Sequence, residues 1–382
     1  MVEFTLTEEQ KSLQEMAKKF ALQEIRPIAS ECDRNSQFPE SLFKKAWQTG
    51  LMNEFIPQNY GGSGLNLFET CLLIEEISYG CPGVATSLFC NHLALAPLVF
   101  AGTSEQKKKY FERFLKEYVL GSFCLSEPEA GSDVANLSCK VTKKGNDYVL
   151  HGAKQWITNA GYANLFTVFA RLEKTKGPEG ICAFLVEADS KGIHLGKKED
   201  KMGQRASDTR TVTFENVLVP SQNLLGKEGQ GFKIAMQALG HTRPAIGAMA
   251  VGAARAAFEY AVDYSKQRIA FGKPIAENQG VNFLLADMSK NILASRLLTW
   301  HAAWLIDCGH PASQESSIAK CFATDTAMQV TTDAVQIFGG YGYTKDYPVE
   351  KLMRDVKVMQ IFEGTNQIQR TIIARELLKG EL

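Results

Sequence analysis

The apolar positions in the first third of the chain recur at the spacing of an α-helix. Thr7 and Gln10 form a capping-box pattern, and the apolar residues after them lie three and four positions apart. Similar segments, separated by breaks that contain glycine or proline, predict helices over 40–50, 67–80 and 104–116. Residues 1–120 are therefore predicted to form an N-terminal helical domain.

Near residue 121 the pattern changes to short segments rich in Val, Ile, Phe and Thr. Residues 148–150, 166–169 and 212–214 are examples, and turn sequences with glycine, proline or asparagine separate them. Residues 121–232 are therefore predicted to form a β domain.

The helical period returns after about residue 232 and continues to the end of the chain. Ala250, Ala254, Ala257 and Ala261 form a stripe of small residues that suits close helix crossings. The helical runs that follow cover 277–307, 313–337 and 347–378. Residues 233–382 are predicted to form an antiparallel helical bundle, so the fold class is mostly α with a β middle domain.

Composition disfavours several classes of function. Among 382 residues, Lys and Arg number 42 and so do Asp and Glu, so no basic excess favours nucleic acid or an anionic membrane. No apolar stretch is expected to cross a bilayer, and the first residues lack a leader pattern. The nine cysteines form no C-x-x-C pair, which indicates reduced thiols and no metal site. We expect a reducing compartment, either a bacterial cytoplasm or a mitochondrial matrix if the chain is a processed mature form.

Several polar segments admit both a structural and a ligand-binding interpretation. The chain has no Walker A motif and no G-x-G-x-x-G opening a βαβ unit. The glycine-rich residues 339–342 are expected to stop a helix, and residues 125–133 to form a polar loop. In 154–159, a tryptophan next to hydroxyl and amide side chains could stack on a planar ring. Arg268 closes a long helix, where it could neutralise the helix end or pair with a phosphate.

Glu363 lies between apolar residues and a glycine, followed by a Thr-Asn-Gln helix start. A carboxylate held in an apolar pocket would have its pKa raised toward the range of a general base, about 6–7. Residues 242–244, Thr-Arg-Pro, are interpreted as another helix start with proline in the first turn.

Taken together, five motifs resemble the acyl-CoA dehydrogenase family, in its order and at its spacings, almost from end to end. They are L-S-E-P-E-A-G-S-D, W-I-T-N, Q-R-x-x-F-G-K, D-A-V-Q-I-F-G-G-Y-G-Y and R-D-V-K-V-M-Q-I-F-E-G-T-N-Q-I-Q. The resemblance implies an N-terminal helical domain, a small β-barrel or sandwich domain and a C-terminal four-helix bundle. It also implies bound FAD, a homotetramer built as a dimer of dimers, and electron transfer to electron-transfer flavoprotein.

The activity implied by the resemblance is α,β-dehydrogenation of an acyl-CoA to the trans-2-enoyl-CoA in fatty-acid β-oxidation, with Glu363 taking the α-proton. The implied cofactor contacts are Leu125, Ser126, Trp156, Thr158, Arg268, Phe271, Gln279, Gln336, Gly340, Thr365 and Gln367. Those from Arg268 to Gly340 would hold the FAD of a neighbouring subunit. The implied substrate contacts are Ser132, Arg243, Phe362, Gly364 and Arg375.

Thr242 stands where another branch of the family carries its base, so the resemblance is to the short- and medium-chain type. Gly240 and His241 depart from the medium-chain pattern at a CoA contact, and Phe362 replaces a tyrosine. Phe89 would shorten the acyl pocket, which leaves the chain length open between short and medium.

Two alternative enzyme activities remain open from the sequence: oxidation of an acyl-CoA by an acyl-CoA oxidase, and dehydrogenation of a substituted acyl-CoA. A flavin-bound nucleic-acid-binding scaffold is the non-enzymatic alternative, and zero net charge disfavours it.

Overall fold

The first part of the chain is helical, as expected. The computed structural model describes residues 5–379. Capping boxes at Thr7, Asn66 and Thr103 start three of the helices, because each cap side chain accepts a backbone N–H that the first turn leaves free. The helices are α1 (Glu8–Phe20), α2 (Arg26–Arg34), α3 (Glu40–Gln48), α4 (Leu67–Gly80), α5 (Pro82–Ala101) and α6 (Ser104–Lys116).

The middle of the chain folds into one mixed eight-stranded sheet. Its strands are β1 (Gly121–Cys124), β2 (Lys140–Lys144), β3 (Asp147–Thr158), β4 (Leu165–Leu172), β5 (Ile181–Glu187), β6 (Ile193–Leu195), β7 (Thr209–Val219) and β8 (Leu224–Leu225). The order is β6-β7-β3-β2-β4-β5-β8, and β1 pairs in parallel with β4. The register between β3 and β7 shifts between Lys154 and Ile157, which marks a bulge near the end of β3.

Long helices return after the sheet. The remaining elements are α7 (Gly231–Gln267), β9 (Ile269–Ala270), β10 (Lys273–Pro274), α8 (Gln279–Asp307), α9 (Ser313–Phe338), α10 (Val349–Lys357) and α11 (Asn366–Leu378). The predicted alanine stripe is buried on α7. A Cβ added to Gly252 would lie 2.1 Å from the carbonyl oxygen of Glu75, so α4 and α7 cross as closely as backbones allow. The fold class is confirmed.

A clamp ties the sheet to both helical parts. The Gln204 backbone N–H donates to the Asp355 carboxylate at 2.5 Å, and the Arg354 guanidinium pairs with the Asp33 carboxylate at 2.7 Å. A Cβ on Gly203 would lie 2.4 Å from the Arg354 backbone, so only glycine fits there without rearrangement. The loop before β7 is therefore held between α2 and α10.

Two local predictions were wrong. Residues 242–244 do not start a helix, because Pro244 lies inside α7, where burial on all sides overrides the local signal. The run 347–378 is not continuous either. Helix α10 ends at Lys357, and the chain then makes a turn with φ of 53° at Glu363 and 90° at Gly364 before α11 begins.

The expectation about apolar stretches also needs correction. Helices α5 and α7 are long and apolar enough to cross a membrane by length and composition, although 72% of each apolar window is buried inside the protein. Their apolar character follows from their central position in the core.

Candidate active site

A cavity of about 410 Å³ lies where α5, the sheet, α7 and the segment before α11 meet. It brings together many of the predicted site residues, which are far apart in sequence. Those that line it are Leu125, Ser126, Ser132, Trp156, Thr158, Arg243, Phe362, Glu363 and Gly364.

Glu363 reaches this cavity from the turn before α11. The left-handed backbone of Glu363 is uncommon for a residue with a side chain, and it persists where surrounding contacts hold it. Burial raises the pKa of Glu363 to about 7, against the opposing effects of the Thr242 hydrogen bond and the charges of Arg243 and Lys320. The Thr242 hydroxyl donates to Glu363 Oε2 at 2.8 Å. Such a carboxyl group can exchange a proton near neutral pH.

Three side chains that sequence reasoning missed hold this turn in place. Lys320 on α9 donates from Nζ to the Gly364 carbonyl at 2.8 Å. Gln369 on α11 donates from Nε2 to the same carbonyl at 3.0 Å, and Asn366 donates to Asp325 at 2.7 Å. Lysine, glutamine and asparagine inside helical runs carry no local signal of such a role, since each contact is made across the fold.

A buried ion pair fixes the wall formed by the polar loop and the end of β3. Lys154 Nζ and Glu127 Oε1 are 2.7 Å apart and both side chains are buried. Lys154 also donates to the Leu125 carbonyl at 3.0 Å, which joins the 125–126 segment to β3. Both residues lie in segments that the sequence analysis singled out, but nothing in the sequence pairs them, because they are 27 residues apart.

Trp156 lies at the bulge of β3 with φ of 63° and is 61% exposed, so it is not a core residue of the sheet. The Thr158 carbonyl accepts from the Ser122 hydroxyl at 2.7 Å and from the Cys90 thiol at 3.7 Å. Trp156 therefore sits on left-handed backbone, and Thr158 sits on backbone whose carbonyl two side chains anchor.

Two polar groups in the cavity have no hydrogen-bond partner among residues 5–379. Arg243 is 6% exposed, and within the described part of the chain nothing accepts a hydrogen bond from its Nε. The Thr86 hydroxyl is also buried without a partner there. Unpaired buried polar groups cost free energy unless something else pairs with them, so the cavity suits a polar ligand.

The cavity is apolar around Phe89. The Phe89 ring lies 4.9 Å from the ring of His92, which is buried and 3.4 Å from Glu54. Burial lowers the pKa of the adjacent His241 to about 3, so this histidine is neutral at physiological pH. Phe89 therefore lies against a tightly packed group of aromatic and imidazole rings.

A second cavity, of about 460 Å³, lies between the end of α7 and the glycine-rich segment after α9. Arg268 and Gly340 line it, and the Arg268 guanidinium lies 5.8 Å from the centre of the Tyr341 ring. Phe271 is 94% exposed, and Gln279 and Gln336 are also exposed. Phe271, Gln279 and Gln336 do not line this second cavity.

The remaining predicted site residues lie outside the lining of both cavities. The Thr365 hydroxyl caps α11 by accepting from the Ile368 amide at 3.2 Å. Gln367 is exposed on the first turn of α11. Arg375 is exposed on the same helix and lies 2.9 Å from Glu376.

Three family models match the chain in succession. They are "Acyl-CoA dehydrogenase, N-terminal domain" at residues 7–117, "middle domain" at 122–217 and "C-terminal domain" at 229–378. An acyl-CoA dehydrogenase of Bacillus subtilis (strain 168) is 46% identical over 98% of this chain and 99% of its own length.

Solved structures agree with the family models. Butyryl-CoA dehydrogenase from Megasphaera elsdenii superposes with a TM-score of 0.96 and 41% identity, over 99% of this chain and all of the other. A chain in the structure described as electron transferring flavoprotein of Acidaminococcus fermentans superposes with a TM-score of 0.97 and 44% identity, over the same shares.

Proposed function

Since the chain belongs to the acyl-CoA dehydrogenase family of FAD-binding oxidoreductases that act on CH–CH donors, we propose that Glu363 is its catalytic base. The reaction is the α,β-dehydrogenation of a short- to medium-chain acyl-CoA to the trans-2-enoyl-CoA, with electron-transfer flavoprotein as the acceptor. The observation that supports the proposal most directly is the part-buried Glu363 carboxyl group in the main cavity, where desolvation raises its pKa to about 7.

The residues around the main cavity fit a flavin ring. Trp156 offers an exposed aromatic face, Thr158 a hydroxyl group, and the 125–126 segment a backbone edge held by Lys154. A Cβ on Gly131 would meet no atom within 4 Å, which leaves room beside the same loop. Bound FAD supplies the two-electron acceptor for the β-hydrogen.

Glu363 removes the α-proton as a carboxylate. A C–H bond beside a thioester is a very weak acid, so the negative charge that develops on the thioester oxygen needs hydrogen-bond donors. We assign one of them to the Glu363 backbone N–H. The left-handed turn, held by Lys320 and Gln369, keeps the carboxylate and this amide in a fixed relation.

The other proposed substrate contacts divide by position. Ser132, Arg243, Phe362 and Gly364 line the main cavity, where they can contact the acyl thioester and the adjacent part of CoA. Arg375 is exposed on α11, where its charge can contact an outer phosphate of CoA.

The apolar wall that includes Phe89 favours the short end of the chain-length range. Its ring packs against His92 and cannot retreat without disturbing a buried contact with Glu54. The similarity to a butyryl-CoA dehydrogenase points in the same direction.

The second cavity is assigned to the FAD of a neighbouring subunit in a homotetramer. Arg268 offers a cation for the pyrophosphate, and Gly340 allows close backbone approach. The exposure of Phe271, Gln279 and Gln336 is consistent with contacts to a second copy of the chain. Thr365 and Gln367 are assigned to the cofactor as well, and Thr365 would do so while capping α11.

The test uses the purified holoprotein under anaerobic conditions. Butyryl-CoA should bleach the flavin absorbance, and Glu363→Gln should retain the flavin but bleach about 10² to 10⁴ times more slowly. Glu129→Gln, which changes an exposed carboxylate in the polar loop, is the matched control and should bleach normally. Near-normal turnover of Glu363→Gln would refute the assignment.

A further inference from the structure

Lys320 is a buried ammonium group that forms no salt bridge within the described part of the chain. Its side chain is 0% exposed in the middle of the bundle. Among residues 5–379, no carboxylate oxygen lies within 4.0 Å of its Nζ. Burying an ammonium group without a counter-ion carries a large desolvation penalty. A lysine kept in such a place therefore invites a functional explanation.

The hydrogen bonds of Lys320 all point to the turn that carries Glu363. Its Nζ donates to the Gly364 carbonyl and to the Asn366 Oδ1, both at 2.8 Å. Asn366 is itself held by the Thr324 hydroxyl at 2.9 Å and by Asp325 at 2.7 Å. The ammonium thus links α9 to Gly364 of the turn and to Asn366, the first residue of α11.

The charges around this turn come from several helices. Arg243 on α7 and Lys320 on α9 are the cations that act on Glu363, and the Cys90 thiol on α5 also interacts with its charge. The charges that act on Lys320 besides Glu363 are those of Cys321 and Asp325 on its own helix and Arg243 on α7.

Arg375 on α11 acts on Arg243. Of the two cations that act on Glu363 in the described structure, Lys320 also donates a hydrogen bond to the catalytic turn.

We propose that Lys320 is a positioning residue for the catalytic base: it fixes the Glu363-Gly364 turn and stabilises the ionised form of the Glu363 carboxylate. The inference rests on the proposed role of Glu363. It assigns to one side chain two separable effects, a hydrogen bond that sets geometry and a charge that sets the fraction of ionised base.

The ionisation of the two groups is compatible with this role. Burial lowers the pKa of Lys320 to about 8, while the negative charge of Glu363 opposes that decrease. Since the pKa of Glu363 is about 7, there is a range between the two values in which carboxylate and ammonium coexist. In that range each charge favours the other.

Two substitutions separate the effects. Lys320→Gln removes the charge and keeps a donor for the Gly364 carbonyl, whereas Lys320→Met removes both. Without the cation the pKa of Glu363 rises, so the ascending limb of kcat/KM against pH should move to higher pH by about one unit in both variants. At pH 6 this is about a tenfold loss of kcat/KM, and the charge-dependent part of the loss disappears at high pH.

Only Lys320→Met should also lose activity on the high-pH plateau, because its turn is no longer anchored. Lys320→Arg, which retains both charge and donor, should keep the limb in its original position. The control Lys357→Gln, at an exposed site on α10, should match the unmodified holoprotein. Flavin absorbance and thermal unfolding of each holoprotein verify that the fold is intact.

A limb that stays in place in both neutral variants would overturn the proposal, since a purely structural lysine lowers activity equally at all pH values. If the neutral variants do not accumulate, Lys320→Arg decides, because a displaced limb with the charge retained also contradicts the proposal. The outcome is distinct from failure of the proposed function, in which Glu363→Gln itself would remain active.

Discussion

Replacing Thr242 by valine tests how the protein sets the pKa of Glu363. The Thr242 hydroxyl donates to the Glu363 carboxylate at 2.8 Å, and this bond favours the ionised form. A hydrogen bond to a charged group contributes about 1.5–3 kcal/mol, and one pKa unit corresponds to about 1.4 kcal/mol. Thr242→Val should therefore raise the pKa of Glu363 from about 7 to about 8 or 9.

A higher pKa of Glu363 should lower activity at neutral pH, because it leaves less of the base ionised. Only the carboxylate accepts the α-proton, so kcat/KM should rise with pH through the pKa of Glu363 and then level off. At pH 7 about half of the unmodified protein carries the carboxylate, against about 1–9% of the variant. Activity at pH 7 should fall about 5- to 50-fold, and the difference should vanish on the plateau.

The assay is kcat/KM for butyryl-CoA with a dye acceptor between about pH 5.5 and 9.5, since kcat/KM reports groups of the free enzyme. Thr242→Ser keeps the hydroxyl and is the matched control. A uniform loss of activity with an unmoved midpoint would show that Thr242 does not control the ionisation of Glu363.

Other predictions concern stability, cofactor retention and chain length. Glu127→Gln leaves Lys154 buried without its carboxylate, so the free energy of unfolding should fall by about 3–5 kcal/mol and Tm should decrease. The double variant Glu127→Leu with Lys154→Met should recover much of that stability. Equal Tm values for the single and the double variant would contradict this prediction. Arg268→Ala should lose flavin absorbance on gel filtration, unlike the exposed control Lys266→Ala, and equal retention would count against the second cavity as a cofactor site. Phe89→Ala should raise the kcat/KM ratio of octanoyl-CoA to butyryl-CoA by about tenfold or more, and an unchanged ratio would remove Phe89 from the acyl pocket.

Local signals predicted the elements that local interactions define. Helices α4 and α6 match the predicted ranges 67–80 and 104–116, because capping boxes and apolar spacing mark their ends in the sequence. Pro244 and the turn at Glu363 were mispredicted since long-range contacts decide them. Lys320, for example, holds a carbonyl 44 residues away.

The candidate site shows the same division. The apolar setting of Glu363 indicated a raised pKa, and the structure supports that with burial in a cavity. Its role came from the family resemblance. The supports of the site, Lys154 and Lys320, were not predicted, because a lysine in a strand or helix ordinarily lies on the surface.

The clamp around Gln204 has a consequence for synthesis of the chain. Its partner Asp355 lies 151 residues further along, so a ribosome adding about 5–20 residues per second needs roughly 8–30 s to deliver it. During that interval the loop before β7 has no α10 to close on, and the first two domains can acquire only part of their final contacts. The nascent protein therefore completes its interdomain junction late, when α10 emerges, and a translational pause between the two partners should prolong its susceptibility to proteases.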